Sequence, residues 1–366
     1  MNRKLKKCKV TLGVVAMLLF TCCENRKSAA AQSDTYYYSI SGSGNFVTLE
    51  ELRSRFYTNS IDIMETNNAC ELEAAKYDAA LEEWNTIVMS NKQTAEAKLQ
   101  VDLYQFAKTN QNSIKEATNQ KLEAEFIKNC YKMILNQEEK EYYSANAEYL
   151  STAYYIASKK YTKGYVTLET VEQIQADIDV NADDMLENQY NKELLTLYTE
   201  TGSNAVLLPI SLLNKTYYES SSISLINNKE YETEQLQNTI SAYYNYLSNL
   251  NVASNTSAYR KVNLQIMDYQ LQLQKLSKDM DSYAKKSIKS YNLVCRKCSS
   301  LKKKVSVADK EYTNALMQYK KGKIAKLTLN KALVTKEEID VEYYKACYQK
   351  MVWEFVLDNG IYGVTP

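Results

Sequence analysis

Few side chains in this sequence are suited to chemistry. The 366 residues include no histidine, and the eight cysteines contain one Cys-x-x-Cys motif, formed by Cys295 and Cys298. One thiol pair without a second pair or a histidine is weak support for zinc, and a redox motif would need a strand-to-helix context that this region lacks. The pair is interpreted as two thiols on one helix, so the sequence predicts no metal and no cofactor.

Neighbouring carboxylates are the remaining candidates for acid-base chemistry. They occur as Glu138-Glu139 and Asp183-Asp184. At helical spacing such pairs usually belong to a solvated face, whereas general acid-base catalysis requires carboxylates placed against a substrate. The sequence therefore predicts that the protein is not an enzyme.

The composition describes the elements that carry these residues. Lys and Arg number 45 and Asp and Glu 44, which gives a net charge of +1 and no basic surface for nucleic acid. Only two prolines and eight glycines occur, so turns are few. Stretches rich in Ala, Leu, Glu, Lys and Gln favour helices. We predict an all-α fold with little or no β-structure.

The N-terminal segment has the pattern of a targeting signal. Residues 1–31 combine a basic start, an apolar run over residues 10–23 and an alanine tract before Gln32, which predicts a secretory signal peptide. A retained membrane anchor and a lipid anchor at Cys22 or Cys23 are the alternatives. The protein is thus expected to be exported to the cell envelope. Five cysteines would remain after cleavage, an odd number that argues against a disulfide framework.

Glycine spacing reveals an internal duplication. Gly164 and Gly202 are 38 residues apart, as are Gly322 and Gly360, and a shift of 158 residues relates the two pairs. We divide the chain into a flexible segment 32–45, a first repeat 46–202, a connector 203–226, a second repeat 227–360 and a tail 361–366. The same shift aligns Tyr161 with Tyr319, Lys163 with Lys321, Thr170 with Thr328, Tyr190 with Tyr348, and Lys192 with Lys350.

Each repeat contains a heptad seam that leads to its first glycine. The seam advances in alternating steps of four and three residues, a coiled-coil pattern, and its tyrosines are predicted to pack with alanine rather than to stack on a ligand. Long antiparallel helical hairpins are therefore expected, with Gly164 and Gly322 in apical turns that need positive φ and Gly202 and Gly360 as helix stops. The seams are Tyr143, Ala147, Leu150, Tyr154, Ala157, Tyr161 and Leu301, Val305, Ala308, Tyr312, Ala315, Tyr319.

Helical periodicity also predicts element bounds. In the first repeat a short helix opens near Thr48, a second spans about 67–89, and one unbroken helix runs from about 96 to 163 after a polar break at 90–94. In the second repeat, helices are expected at about 228–247 and 257–321, with a break at 248–256. The returning helices are expected at about 168–201 and 327–359.

The duplicated hairpins resemble the TolC-like outer-membrane efflux proteins. The likeness is carried by Tyr161-Thr-Lys-Gly164-Tyr-Val-Thr-Leu, by Tyr319-Lys-Lys-Gly322-Lys-Ile-Ala-Lys and by the opening Phe46-Val-Thr-Leu-Glu-Glu-Leu. The resemblance implies a homotrimer that forms a hollow helical barrel, a periplasmic adaptor protein that meets the hairpin tips, and an inner-membrane transporter. The resemblance therefore implies that the protein acts as a conduit.

The sequence departs from that family in two places. Family members usually insert two membrane strands in each repeat, where this chain has only the breaks at 90–94 and 248–256. Close relatives also carry acidic gate residues six and nine positions beyond the second apex glycine. This chain has Thr328 and Lys331 there, so they are candidate lumen positions and the acidic gate is not carried over.

The resemblance assigns adaptor docking to the hairpin tips. The candidate residues are Tyr161, Gly164, Val166, Tyr319, Gly322 and Ile324, with Val166 and Ile324 as exposed apolar residues beside the turns. The alternative is that these side chains pack inside the hairpin. Two other function classes remain: an exported structural or adhesive coiled coil, and a pore-forming toxin, which would need an apolar hairpin that the sequence does not contain.

Overall fold

The computed structural model describes residues 46–90, 94–199, 206–207, 227–250, 253–254 and 256–366. The predicted signal peptide, the segment 32–45, Gly202 and most of the connector lie outside these ranges. The described chain is helical, as expected. Its eight helices are α1 (Leu49–Asn59), α2 (Ile61–Met89), α3 (Ala95–Thr109), α4 (Gln111–Tyr161), α5 (Leu168–Tyr198), α6 (Asn227–Asn249), α7 (Ser257–Lys320) and α8 (Lys326–Asp358).

One short strand pair accompanies the helices. Strands β1 (Phe46–Val47) and β2 (Val206–Leu207) are parallel, with Phe46 opposite Val206 and Val47 opposite Leu207. This pairing agrees with a fold that has little β-structure.

The prediction of one unbroken helix over 96–163 is wrong at one point. The helix is interrupted at Asn110, which lies between α3 and α4. Asn110 has φ −107° and ψ 15°, and its side-chain amide donates to the Phe106 carbonyl at 3.1 Å. An asparagine that bonds to the preceding turn competes with the helical ladder. The first ascending segment is therefore two helices, whereas its counterpart α7 is continuous over 64 residues.

The residues form two compact units, and each draws on both sequence repeats. Among the described residues, we call the unit built from 46–52, 129–199, 206–207 and 300–347 the hairpin unit. The other, from 53–90, 94–128, 227–250, 253–254, 256–299 and 348–366, is the second unit. In the hairpin unit, Leu150, Ala157, Leu301 and Ala308 of the predicted seams are buried. The seams therefore form core, as the heptad pattern predicts.

The second unit packs aromatic and polar groups around α1 and the start of α4. Phe56 stacks on Phe126 with ring centroids 4.5 Å apart. The buried Glu123 carboxylate accepts a hydrogen bond from the Tyr57 hydroxyl at 2.6 Å and pairs with Arg53. Burial, followed by the bond to Glu123, raises the pKa of Tyr57 well above its usual range. These contacts satisfy a carboxylate that would be costly to bury alone.

The end of α8 is closed as predicted. Gly360 has φ 61°, and the Ile361 N–H donates to the Val356 carbonyl at 2.9 Å. Ile361 and Val364 are almost fully buried, and the Tyr283 hydroxyl donates to the Val364 carbonyl. The tail after Gly360 is thus packed into the second unit.

Candidate docking site at the hairpin tips

The first tip, residues 161–167, closes α4 with a Schellman motif. Gly164 has φ 77°, its N–H donates to the Tyr161 carbonyl at 2.8 Å, and the Tyr165 N–H donates to the Lys160 carbonyl at 2.9 Å. A Cβ on Gly164 would meet no atom within 4 Å. Glycine is therefore required by backbone conformation and not by lack of space.

The second tip, residues 319–325, repeats this geometry. Gly322 has φ 68°, its N–H donates to the Tyr319 carbonyl at 2.9 Å, and the Lys323 N–H donates to the Gln318 carbonyl at 2.9 Å. A Cβ here would also meet open space. Both glycines that the sequence placed in apical turns have the positive φ that was predicted.

The returning helices begin differently at the two tips. Thr167 caps α5, because its hydroxyl accepts a bond from the Thr170 N–H at 3.4 Å. At the second tip, the backbone carbonyl of Ala325 accepts hydrogen bonds from the Thr328 and Leu329 N–H groups at 3.1 and 3.3 Å. A side-chain cap typically contributes about 1 kcal/mol, so the start of α5 is the more firmly held.

Exposed aromatic groups dominate the first tip. Tyr165 is 76% exposed and Tyr161 43%, and Tyr319 at the second tip is 39% exposed. Val166 and Ile324 were predicted to be exposed, but both side chains are half-buried. The sequence reasoning also missed Tyr165, although its place directly after the apex glycine, in a turn that follows a lysine-rich segment, was a usable signal.

Lysines surround both tips. They are Lys159, Lys160 and Lys163 at the first and Lys320, Lys321, Lys323 and Lys326 at the second. Lys159 Nζ lies 4.2 Å from the Tyr155 ring centroid, and Lys326 Nζ lies 3.0 Å from a Glu148 carboxylate oxygen. The hydrogen bond to Glu148 raises the pKa of Lys326. The tips thus present a cationic surface with exposed tyrosines.

Two asparagine pairs fix the register of α4 against α5. The Asn136 amide donates to the Asn188 carbonyl at 2.8 Å, and the Asn188 amide donates back to the Asn136 carbonyl at 3.1 Å. Farther along, the Asn146 amide donates to Asn181 Oδ1 at 2.8 Å. Polar groups buried in a helical seam specify register, because a slipped alignment leaves them unpaired. The position of the first tip follows from this register.

The second hairpin is fixed to the first by α8. The amide of buried Asn330 donates to the Thr152 hydroxyl at 3.2 Å and to the Glu148 carbonyl at 3.4 Å, both on α4. Asn330 lies eight residues after Gly322, so this contact sets the level of the second tip along α4.

Glu138 is buried, contrary to the prediction that the Glu138-Glu139 pair lies on a solvated face. The cause is the packing of α8 on α4, which places Lys336, Glu337 and Asp340 beside it. Burial and then the negative charges of Asp340 and Glu337 raise the pKa of Glu138 to about 8. The ammonium of Lys336 lies 2.6 Å from Asp340 and 3.1 Å from Glu337. One lysine therefore compensates a cluster of carboxylates.

The other sequence candidates occupy surface or helix positions. Thr328 and Lys331 are exposed and line a groove between α7 and α8 with Glu311 and Thr335. Cys295 and Cys298 lie on α7 as predicted, Cys295 half-buried and Cys298 buried, and burial raises the pKa of Cys295. A raised pKa leaves less thiolate and so a less reactive thiol.

Within the described ranges, no three His, Cys, Asp or Glu residues are grouped so as to hold a metal ion. In the same part of the chain, every helix is too short or too polar to span a membrane.

Comparison with known proteins gives similarity in structure alone. No protein-family model matches the chain, and no curated protein does. The solved structure of the outer-membrane channel OprN is similar with a TM-score of 0.61 and 10% identity, over 91% of this chain and 96% of that one. A membrane protein from Pseudomonas aeruginosa is similar with a TM-score of 0.57 and 10% identity, over 91% and 95% of the chains.

A third similar structure is that of CusC, a protein whose conformational changes accompany folding and transmembrane channel formation. Its TM-score is 0.55 and its identity 11%, over 91% of this chain and 97% of that chain. At such identities the likeness shows a common fold. The chain thus has the helical-hairpin fold that its resemblance to the TolC-like proteins implied.

Proposed function

We propose that this protein is a TolC-like conduit of a cell-envelope export system, in which a homotrimer docks an adaptor protein through its hairpin tips. The observation that carries the proposal is the pair of matching tips: two glycine-closed turns with exposed tyrosines, in a chain with the fold of an outer-membrane channel. Its place is the cell envelope, outer-membrane associated or periplasmic, reached by the predicted signal peptide or held by a lipid at Cys22 or Cys23.

The tips are suited to enter a groove between partner helices. Each turn is narrow because glycine occupies its apex, and Tyr161, Tyr165 and Tyr319 offer ring surface with a polar hydroxyl, a combination enriched at protein interfaces. The surrounding lysines favour an adaptor whose groove carries carboxylates. The adaptor in turn would link the conduit to an inner-membrane transporter. Thr328 and Lys331 would line the lumen in this arrangement.

Function is expected to be non-enzymatic. The similar solved structures with TM-scores above 0.5 are named as channels or as a membrane protein. Of the lysine-compensated carboxylates, Glu138 and Asp340 are buried in helix packing, where a substrate does not reach them.

Replacing both apex glycines by valine is expected to abolish adaptor binding. A β-branched residue is strained at φ near +70°, by about 1–2 kcal/mol or more at each site, so both turns should rearrange while the helices remain. The measurement is capture of the adaptor encoded nearest to the gene, together with circular dichroism.

Gly363→Val is the matched control for this experiment. Gly363 also has positive φ, 89°, and open space around a Cβ, but it lies in the C-terminal tail of the second unit. The Gly363→Val variant should bind the adaptor as the unaltered chain does. Undiminished capture by the double tip variant would overturn the docking assignment.

A structural or adhesive role is the second candidate, and one observation favours it. The TolC-like proteins usually insert membrane strands at the positions of the α2–α3 and α6–α7 connections, and here both connections are short. Helix α2 ends at Met89 and α3 begins at Ala95, while α6 ends at Asn249 and α7 begins at Ser257. A deletion strain separates the two roles. Accumulation of an exported compound inside the cell supports the conduit, whereas loss of surface attachment alone supports the structural role.

A further inference from the structure

A cavity separate from the hairpin tips lies in the second unit. Its volume is about 640 Å³, and small-molecule sites commonly measure roughly 300–1,000 Å³. Helices α2, α3, α6 and α7 and the C-terminal tail all contribute lining residues. On α7 the lining extends from Tyr269 to Asp279, which is about 15 Å along the helix. The second-unit cavity is therefore elongated.

Three tyrosine rings supply the aromatic part of the lining. They belong to Tyr104 on α3, Tyr269 on α7 and Tyr362 in the tail, and all three side chains are half-buried. Neighbouring rings hold two of them in place. Tyr269 stacks on Tyr243 of α6 with ring centroids 5.5 Å apart, and Tyr362 packs against Tyr283 at 4.7 Å. Side chains that are already held lose little freedom when a ligand binds, so the cavity is preorganised.

Carboxylates make up most of the charged lining. Glu73 on α2, Glu232 on α6 and Asp279 on α7 are exposed at the cavity. Among the described residues that line it, Lys275 is the one cationic side chain. The excess of negative charge attracts cations and repels anions. Because the carboxylates come from three helices, and no group of residues in the described chain is placed to hold a metal ion, the lining favours an extended organic cation over an inorganic one.

The side chain of Lys76 shows that these groups hold an ammonium. Its Nζ lies 5.9 Å from the centroid of the Tyr104 ring, within the range of a cation–π contact, and it pairs with the Glu73 carboxylate. The hydrogen bond to Glu73 raises the pKa of Lys76 and so favours its charged form. A ring and a carboxylate of the lining thus already bind one alkylammonium group together.

We propose that the second-unit cavity binds an aliphatic polyamine, a linear molecule whose ammonium groups are separated by methylene segments. The ammonium groups pair with the carboxylates of Glu73, Glu232 and Asp279, and the methylene segments lie against the tyrosine rings. The elongated shape, the negative charge and the aromatic lining together fit this class of ligand. All the lining residues belong to the second unit of one chain, so the site depends neither on the trimer nor on adaptor docking.

Titration calorimetry of the full protein with spermidine tests the site, and one spermidine is expected to bind per chain. The matched ligand is N1,N8-diacetylspermidine, which keeps the methylene chain but loses both terminal charges. It should bind about tenfold more weakly or worse, because each lost charge removes a charge-assisted hydrogen bond. Magnesium ions are added in competition. Displacement of spermidine by an equal concentration of magnesium would mean that the polyamine is only a counterion, and would overturn the proposal.

Asp279→Asn is expected to weaken spermidine binding about tenfold, since it removes one charged acceptor while keeping the size of the side chain. Asp281→Asn is the matched control, because Asp281 is exposed on the same helix but lies outside the cavity, where it pairs with Lys285 at 2.7 Å. The control should bind spermidine as the unaltered chain does. Circular dichroism confirms that both variants are folded. Equal affinities of the two variants, or no binding by the unaltered chain, would overturn the polyamine site and leave the conduit proposal untouched.

Discussion

Glu138→Gln is expected to stabilise the protein increasingly as pH rises from 5 to 8. In the folded chain the Glu138 carboxyl has a pKa of about 8, because it is buried and then because Asp340 and Glu337 are near. In the unfolded chain it ionises near the ordinary value of 4.5. Between these values the folded state holds a proton that the unfolded state has released, so stability falls as pH rises.

The expected size is about 1.4 kcal/mol for each pH unit in that window, for one fully shifted group. Glutamine has similar shape and no charge to bury, so the difference between the variant and the unaltered chain should grow with pH. Urea unfolding at pH 5, 6, 7 and 8 measures it. The exposed Glu172 on α5 supplies the control, Glu172→Gln. A difference that stays constant across the four pH values contradicts the assignment of a buried, protonated Glu138.

Asn188→Ala is expected to destabilise the hairpin unit by about 1–3 kcal/mol. The substitution removes the bond from the Asn188 amide to the Asn136 carbonyl at 3.1 Å and the bond to Glu139 Oε2 at 3.3 Å. The half-buried Glu139 then loses a donor that stabilises its charge, and burial already raises the pKa of that carboxyl.

Gln189→Ala is the matched control, since Gln189 is exposed on the next position of α5 and bonds only within its own helix, to Glu193 at 3.1 Å. It should change the free energy of unfolding by less than about 0.5 kcal/mol. Equal destabilisation by the two variants would mean that the asparagine pair does not hold the register of α4 and α5.

The sequence was sufficient for the hairpins, because their determinants are local and periodic. Heptad steps such as Leu150 to Ala157 define a buried seam whatever the partner, and Gly164 and Gly322 are the residues that tolerate the left-handed turn. The asparagine register was also accessible, since Asn181 and Asn188 are one heptad apart in a helix whose inner seam is otherwise apolar or mixed. The predictions missed it by treating polar residues as surface.

The break at Asn110 was harder to foresee. Asparagine is only mildly unfavourable inside a helix, so the sequence did not separate a helical Asn110 from one that ends α3. The side-chain bond to the Phe106 carbonyl decides between the two, and it is visible only once the backbone is placed.

By itself the sequence determined that the described chain is helical and that two of its turns are closed by glycine, because helix periodicity and positive φ are properties of neighbouring residues. Only the tertiary structure decided that Glu138 is buried beside Lys336, and that Val166 and Ile324 are half-buried while Tyr165 is exposed. Burial depends on which helix covers which face, and that is set by contacts between residues far apart in the chain.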